Sequence, residues 1–187
     1  MTTMKKMKRL LTAVIAAALV IATIPTALAA GGIFSDVPNG AWYADAVDYV
    51  YEHGIMNGTS ATTFSPNTPM TRAMLVTVLH RAAGSPSAAT GTAFSDVPSG
   101  AYYMGAVAWA STNGIVTGYG NGRFGSNDPV SRAQIAAILW RYAGSPSAEA
   151  GQDFADESSI PAYASAAVDW ARANGVVNGT TDNRFDP

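Results

Sequence analysis

The chain has no cysteine in its 187 residues, which excludes a disulfide framework and a lipid-modified N-terminal cysteine. Histidine is nearly absent: His53 and His80 stand apart, no calcium-loop run of alternating acids occurs, and metal-ligand spacing is missing. Lysine is confined to Lys5, Lys6 and Lys8. Long apolar runs are missing too, since Leu10 to Ile24 is about fifteen residues where a bilayer span needs roughly 20.

That run follows the basic stretch Lys5, Lys6, Lys8, Arg9 and precedes Pro25-Thr26-Ala27-Leu28-Ala29. A basic head, a short apolar body and a small-x-small site predict a secretory signal peptide over residues 1–29, cut after Ala29. The 158 residues beyond carry seven arginines, no lysine and thirteen acids, a net charge of −6. Nucleic-acid binding needs clustered cations that such a surface lacks, and nothing draws the chain to anionic lipid once the signal is gone. Stability must come from packing, in one core or in a few small units sharing one.

What is present is a repeat. Phe34-Ser35-Asp36, Phe94-Ser95-Asp96 and Phe154-Ala155-Asp156 each follow the last by 60 residues. In the same order come an aromatic (Trp42, Tyr102, Tyr163), Ala-Val (Ala46-Val47, Ala106-Val107, Ala167-Val168), His/Asn-Gly (Gly54, Gly114, Gly175), a second glycine (Gly58, Gly118, Gly179) and a phenylalanine (Phe64, Phe124, Phe185). Such a period means one supersecondary unit reused, with neighbours burying what one unit cannot.

Within a copy, Trp42, Ala46, Val47, Val50 and Ile55 recur at helical spacing, which predicts a helix from about Ala41 to His53, capped by Gly54. Ile55-Met56-Asn57-Gly58 and its counterparts are too short for strands and predict a turn or a minimal β-bridge. A second helix is expected from Thr71 and Ser131, each behind a proline, with stripes Leu75, Val78, Leu79 and Ile135, Ile138, Leu139. Gly84 and Gly144 end these helices, and Ser-Pro-Ser-Ala linkers follow. The third copy reaches Pro187 before its second helix, about 18 residues short by register, so its first helix is expected to lack packing surface.

Phe-x-Asp, an aromatic, Ala-Val, Gly-Ile/Val-x-x-Gly, Phe, then Thr/Ser-Arg-Ala and a helix ending in Arg: this order resembles the S-layer homology repeat, over residues 33–84, 93–144 and 153–187. The resemblance implies a mostly α fold of tandem helix-loop-helix repeats around a pseudo-threefold axis, with grooves between lobes. It implies non-covalent anchoring of an exported protein at the bacterial cell wall and surface. The implied partner is an anionic secondary cell-wall polysaccharide attached to peptidoglycan, often with pyruvylated amino sugars. No enzyme activity and no cofactor are implied.

Arg72 and Arg132 carry the binding expectation. A cation in the first helical turn faces the positive end of the helix dipole, so something anionic should sit beside it. One reading is an internal ion pair with Asp36 or Asp96. The other is a glycan carboxylate gripped by the guanidinium, which the resemblance favours because the family's motif arginine contacts the acidic sugar. Thr71 and Ser131 suit N-caps, and Gln134 completes a capping box that Met74 cannot. The family usually has Glu at that fourth place, so its replacement in both copies marks a capping device rather than a catalytic acid. Trp42 and Tyr102, with Tyr163 at the same place in the third copy, are platform candidates, although an aromatic opening an amphipathic helix is more often core. Trp109, Trp170 and Tyr49 read as packing, and the exchange of Trp140 for His80 places that position near the surface. Gly58 and Gly118 are candidates for close backbone approach to a sugar, or are required by a tight turn.

An enzyme is disfavoured, because Asp36, Asp96 and Asp156 recur once per copy as structural residues do, and neither histidine recurs. A self-assembly or protein-interaction module of the cell surface, without glycan binding, is the alternative.

Overall fold

The computed structural model describes residues 32–147 and 153–187; the expected export signal lies outside the described residues. Among them stand five α-helices: α1 (Ala44–Glu52), α2 (Arg72–Ala82), α3 (Met104–Thr112), α4 (Arg132–Tyr142) and α5 (Ser165–Ala173). A 3-10 turn at Glu157–Ser159 precedes α5. The fold is mostly helical, as expected, with no strand among the described residues. The Ile55–Gly58 type of segment is neither the turn nor the bridge expected but a bend at Ile55 followed by irregular backbone, and the isolated bridge lies elsewhere, joining Thr71 of the first copy to Pro129 of the second.

The first helix of each copy starts later than its periodicity suggests. Ala41 and Ala44 are held in successive turns by Ala41 N–H to the Pro38 carbonyl and Ala44 N–H to the Ala41 carbonyl. Helix α1 therefore opens after Tyr43, and Trp42 falls before the helix rather than on its buried stripe. The same offset holds for Tyr102 and Tyr163. Trp42, Tyr102 and Tyr163 are 94%, 71% and 52% exposed, so the packing reading of this row fails. The next residue turns inward instead: Tyr43 and Tyr103 pack against the cores and Ala164 is buried.

These helices end in Schellman turns. Gly54 has φ 64°, its N–H reaches the Tyr51 carbonyl, and Ile55 N–H reaches the Val50 carbonyl at 2.8 Å. Gly114 and Gly175 repeat the arrangement with φ 68° and 66°. Asn113 and Asn174 each donate from their side chain to the carbonyl four residues earlier, and His53 Nδ1 makes the same 2.8 Å contact to Tyr49 O. That shared capping task explains why His and Asn interchange there.

The second helices open as the sequence indicates. Thr71 Oγ1 accepts from Met74 N–H, and Ser131 and Gln134 form the full capping box. Their buried faces are wider than single stripes: Val76 and Thr77 are buried beside Leu75 and Leu79, and Ala136 and Ala137 beside Ile138, while Val78, Ile135 and Leu139 are half-buried. The breadth follows from burial on two sides. His80 and Trp140, both half-buried, each contact a linker carbonyl through a ring nitrogen, His80 to Pro86 and Trp140 to Pro146, at 2.8 Å.

Packing crosses the copies. Helix α2 of the first copy packs on α3 of the second, and α4 of the second on α5 of the third. Two cores result, one joining Leu75, Val76 and Leu79 to Val107, Trp109 and Ala110, the other joining Ala133, Ala136 and Ala137 to Val168, Trp170 and Ala171. The expectation that the third copy's helix lacks packing is thereby overturned: α5 is covered by α4. Among the described residues helix α1 is the bare one, with a small cluster of Phe34, Val37 and Val47 beneath it. Trp109 and Trp170 are buried as expected, but Tyr49 on α1 is only half-buried.

Candidate functional site

Each copy is closed by the same tethers. The opening and closing phenylalanines meet with ring centroids 5.4–5.5 Å apart (Phe34–Phe64, Phe94–Phe124, Phe154–Phe185). The recurring aspartate straps the loop that carries the second phenylalanine. Asp36 accepts from Phe64 and Ser65 N–H at 2.8 and 2.7 Å, Asp96 from Phe124 and Gly125 at 2.7 and 2.8 Å, and Asp156 from Phe185 and Asp186 at 2.7 and 2.9 Å.

Amide donors stabilise the charged carboxylate. The Phe64 amide, with those of Ser65 and Asp36 itself, outweighs burial and holds the Asp36 carboxyl below the usual range. For Asp96 burial pushes upward, but the amides of Phe124 and Gly125, its own amide and Arg123 bring it down. The Phe185 amide leads the same effect at Asp156, joined by Asp186 N–H and Arg184.

These carboxylates are therefore not the partners of Arg72 and Arg132, and the internal ion-pair reading is corrected. Among the described residues the ion pairs are Arg123–Asp96, Arg184–Asp156 and Arg184–Asp186. Arg72 reaches instead into the next copy. Its Nε donates to the Phe124 carbonyl at 2.9 Å and its Nη2 to the Thr117 carbonyl at 3.0 Å, with the guanidinium over the Tyr119 and Phe124 rings. Arg132 does the same one copy on, to the Phe185 and Asn178 carbonyls at 2.7 and 3.1 Å and over the Phe185 ring. Arg72 is 6% exposed, whereas Arg132 is exposed.

Gly58 and Gly118 sit where the opening phenylalanine crosses this loop. A Cβ on Gly58 would lie 2.5 Å from both the Phe34 ring and the Thr63 carbonyl oxygen, and one on Gly118 would overlap the Phe94 ring and the Arg123 carbonyl. Folding alone demands these glycines.

Arg72 and the Gly118 loop meet in a half-open recess of about 260 Å³. Its wall runs from Arg72 through Thr117, Gly118 and Tyr119 of the second copy to Gln134 and Arg141 on α4, and closes on Tyr163 of the third copy. All three copies thus contribute. Arg141 makes no ion pair or side-chain hydrogen bond among the described residues, and no acid lines the recess. Burial, opposed by Arg72 and assisted by Asp128, pushes the Tyr119 hydroxyl upward.

Of the expected site residues, the recess gathers Arg72 and Gly118. Asp96 holds the loop behind it, while Asp36, Gly58, Trp42, Tyr102 and Arg132 lie at corresponding places in other copies. Tyr163 belongs to the aromatic row read as core or ligand platform; Arg141 and Tyr119 are not foreseen as site residues, although the arginine ending the second helix is visible in the repeat pattern. No group of three or more metal-ligating side chains occurs among the described residues, and no helix there is long and apolar enough to cross a membrane.

Comparison with known proteins places this architecture. The chain is 35% identical over 159 residues to an endoglucanase of Bacillus sp. (strain KSM-635), covering 82% of this chain and 17% of that protein. It is 34% identical over 146 residues to a cell surface protein of Thermoanaerobacter kivui (75% and 19%), and 29% identical over 133 residues to the S-layer protein sap of Bacillus anthracis (71% and 16%). The chain spans less than a fifth of the length of these relatives. The family model described as S-layer homology domain matches residues 33–73, 93–136 and 153–187, the third match being the shortest. The chain therefore belongs to the S-layer homology family, whose repeats serve as cell-surface anchoring modules of secreted proteins rather than as catalytic domains.

Proposed function

We propose that the chain anchors at the wall by binding an anionic secondary cell-wall polysaccharide in the recess centred on the second copy. The carrying observation is a recess lined by Arg72 and Arg141 and by no acid among the described residues, in a chain whose net charge beyond residue 29 is −6. Repulsion from an anionic polymer elsewhere makes one cationic groove the favourable contact. Among the described residues Arg141 has its donors free for a carboxylate, such as that of a pyruvylated amino sugar, and Arg72 keeps Nη1 for the same group. Tyr163 offers a ring for the sugar face; Trp42 and Tyr102 are the equivalent platforms of the other copies. Asp36 and Asp96 serve by holding the Gly58 and Gly118 loops, not by touching sugar.

A groove of this design needs an arginine from the copy before, a loop and second helix from its own copy, and an aromatic from the copy after. Among the described residues the second copy alone has all of these. The first has Gly58 and Arg81 but no preceding arginine, and the third has Arg132 on its loop but no second helix.

The test is a pull-down on purified cell walls before and after chemical removal of the secondary polymer. Sedimentation with intact walls and loss from stripped walls is the expected result. Binding that survived stripping would replace the glycan by peptidoglycan or a protein partner. Arg132→Ala should weaken binding less than Arg141→Ala, with helical circular dichroism intact in both.

A further inference from the structure

Asparagine stands directly before glycine six times, as Asn39-Gly40, Asn57-Gly58, Asn113-Gly114, Asn121-Gly122, Asn174-Gly175 and Asn178-Gly179. In such a pair the glycine's backbone nitrogen, which no Cβ shields, can attack the asparagine side chain. A bond forms between that nitrogen and Asn Cγ, and the bond from Cγ to the side-chain nitrogen breaks. The side-chain nitrogen leaves as ammonia, taking the glycine amide proton, and a five-membered imide remains. Water then opens the imide at one of its two carbonyls, giving aspartate or isoaspartate. Because glycine follows in all six pairs, the local chemistry is the same and the fold ranks them.

Two pairs are locked at both reacting groups. Gly114 and Gly175 N–H donate to the Ser111 and Arg172 carbonyls at 3.1 and 3.0 Å, and the Asn113 and Asn174 side chains donate to the Trp109 and Trp170 carbonyls at 2.8 Å. Two more are wedged by packing: a Cβ on Gly58 would lie 2.5 Å from the Phe34 ring, and one on Gly179 would lie 3.2 Å from Asn183 Cα. The last two are open. Asn39, Gly40, Asn121 and Gly122 are exposed, a Cβ on either glycine would meet nothing within 4 Å, and neither glycine N–H has an acceptor among the described residues. Of these, Asn121 alone is also aimed. Its Oδ1 accepts from Arg123 N–H at 3.1 Å, which folds the carboxamide back over the Gly122 peptide and draws electrons from Cγ.

We propose that Asn121 is a site of spontaneous deamidation, and that its conversion adds one negative charge beside the cationic recess, two residues from Tyr119. The fold accepts the aspartate product, because the third copy carries Asp182 at the same place, followed by Arg184 as Asn121 is by Arg123. There Ala155 N–H reaches the Asn183 carbonyl just as Ser95 N–H reaches that of Gly122, both at 2.9 Å. Isoaspartate, one backbone carbon longer, disturbs that tie and the 3.0 Å bond from Tyr119 N–H to the Arg123 carbonyl. The loop that carries Tyr119 into the recess thus loosens with age, and anchoring weakens in a chain that cannot be repaired by resynthesis in place. The effect on binding rests on the glycan reading of the recess; the chemistry at Asn121 does not.

The test is peptide mapping by mass spectrometry of the purified chain held at mildly alkaline pH, native and unfolded in urea. In the native chain Asn121 should convert first, and at least tenfold faster than Asn113 and Asn174, which must open locally before they can react. In urea the six should convert at similar rates. Asn113 or Asn174 keeping pace with Asn121, Asn39 leading it, or the native order surviving in urea would each overturn the assignment. For the consequence, the Asn121→Asp chain should bind purified cell walls about twofold more weakly than fresh parent, as a screened charge near the recess would give. Equal binding by the two would overturn the effect on the recess while the map decides the chemistry. A fresh parent that fails to bind walls would count against the glycan reading, and the map would again decide the site.

Discussion

An arginine at the first position of a helix works against the helix dipole, at a cost of some tenths of a kcal/mol. In α2 that cost is offset by two carbonyls of the next copy, which present their negative ends to a guanidinium 6% exposed. Removing Arg72 strands those carbonyls, so Arg72→Ala should lower unfolding free energy by about 2–4 kcal/mol in urea denaturation. Arg132→Ala, at an exposed position, should cost about 1 kcal/mol. Equal losses would show that burial does not set the difference. Arg72→Lys keeps the charge but not the two-carbonyl fork, and should be both less stable and weaker in wall binding than the parent. The aspartates act through pH. Their carboxyls sit lower in the folded chain than unfolded, so their stabilisation is complete above the unfolded value of about 4 and is lost as pH falls through the folded one. The thermal midpoint should drop on acidification below about pH 4, and Asp96→Asn, already less stable at neutral pH, should show a shallower fall. A parallel fall in parent and variant would remove Asp96 from the account.

At the scale of elements, equivalent residues should differ in worth according to whether their helix is covered. Trp109→Ala empties the core between α2 and α3 and should cost about 3–5 kcal/mol, whereas Tyr49→Ala on α1 should cost about 1 kcal/mol or less. Comparable costs, measured by the same denaturation, would mean that α1 has a partner of its own. The helices, their glycine caps and the Ser131 capping box were legible in the sequence because each is a local signal repeated in register. The pairing of helices across copies was not, since each stripe is apolar in the same register and none names its partner. The aromatic row shows how a three-residue offset matters. Starting the helix at Ala41 puts Trp42 on the buried face, while starting it at Ala44 leaves the ring in water. Arg141 was hidden differently: a cation in a last turn already satisfies the dipole, so nothing local asks for a ligand.

Across the whole molecule the copies behave as a line of nearest neighbours, each covering the next, so stability should rise from the uncovered end inward. Native-state hydrogen exchange should find α1 opening before α3 and α5, and the reverse order would contradict the packing scheme. The same one-way covering leaves a single complete groove among the described residues, which gives glycan binding its most direct test. Titration of solubilised anionic wall polymer, cut to short fragments, should show one fragment bound per chain. Arg141→Gln should reduce that affinity at least tenfold, and Arg81→Gln, its counterpart in the incomplete first groove, should leave it unchanged. Two fragments per chain, or equal losses from the two substitutions, would contradict it.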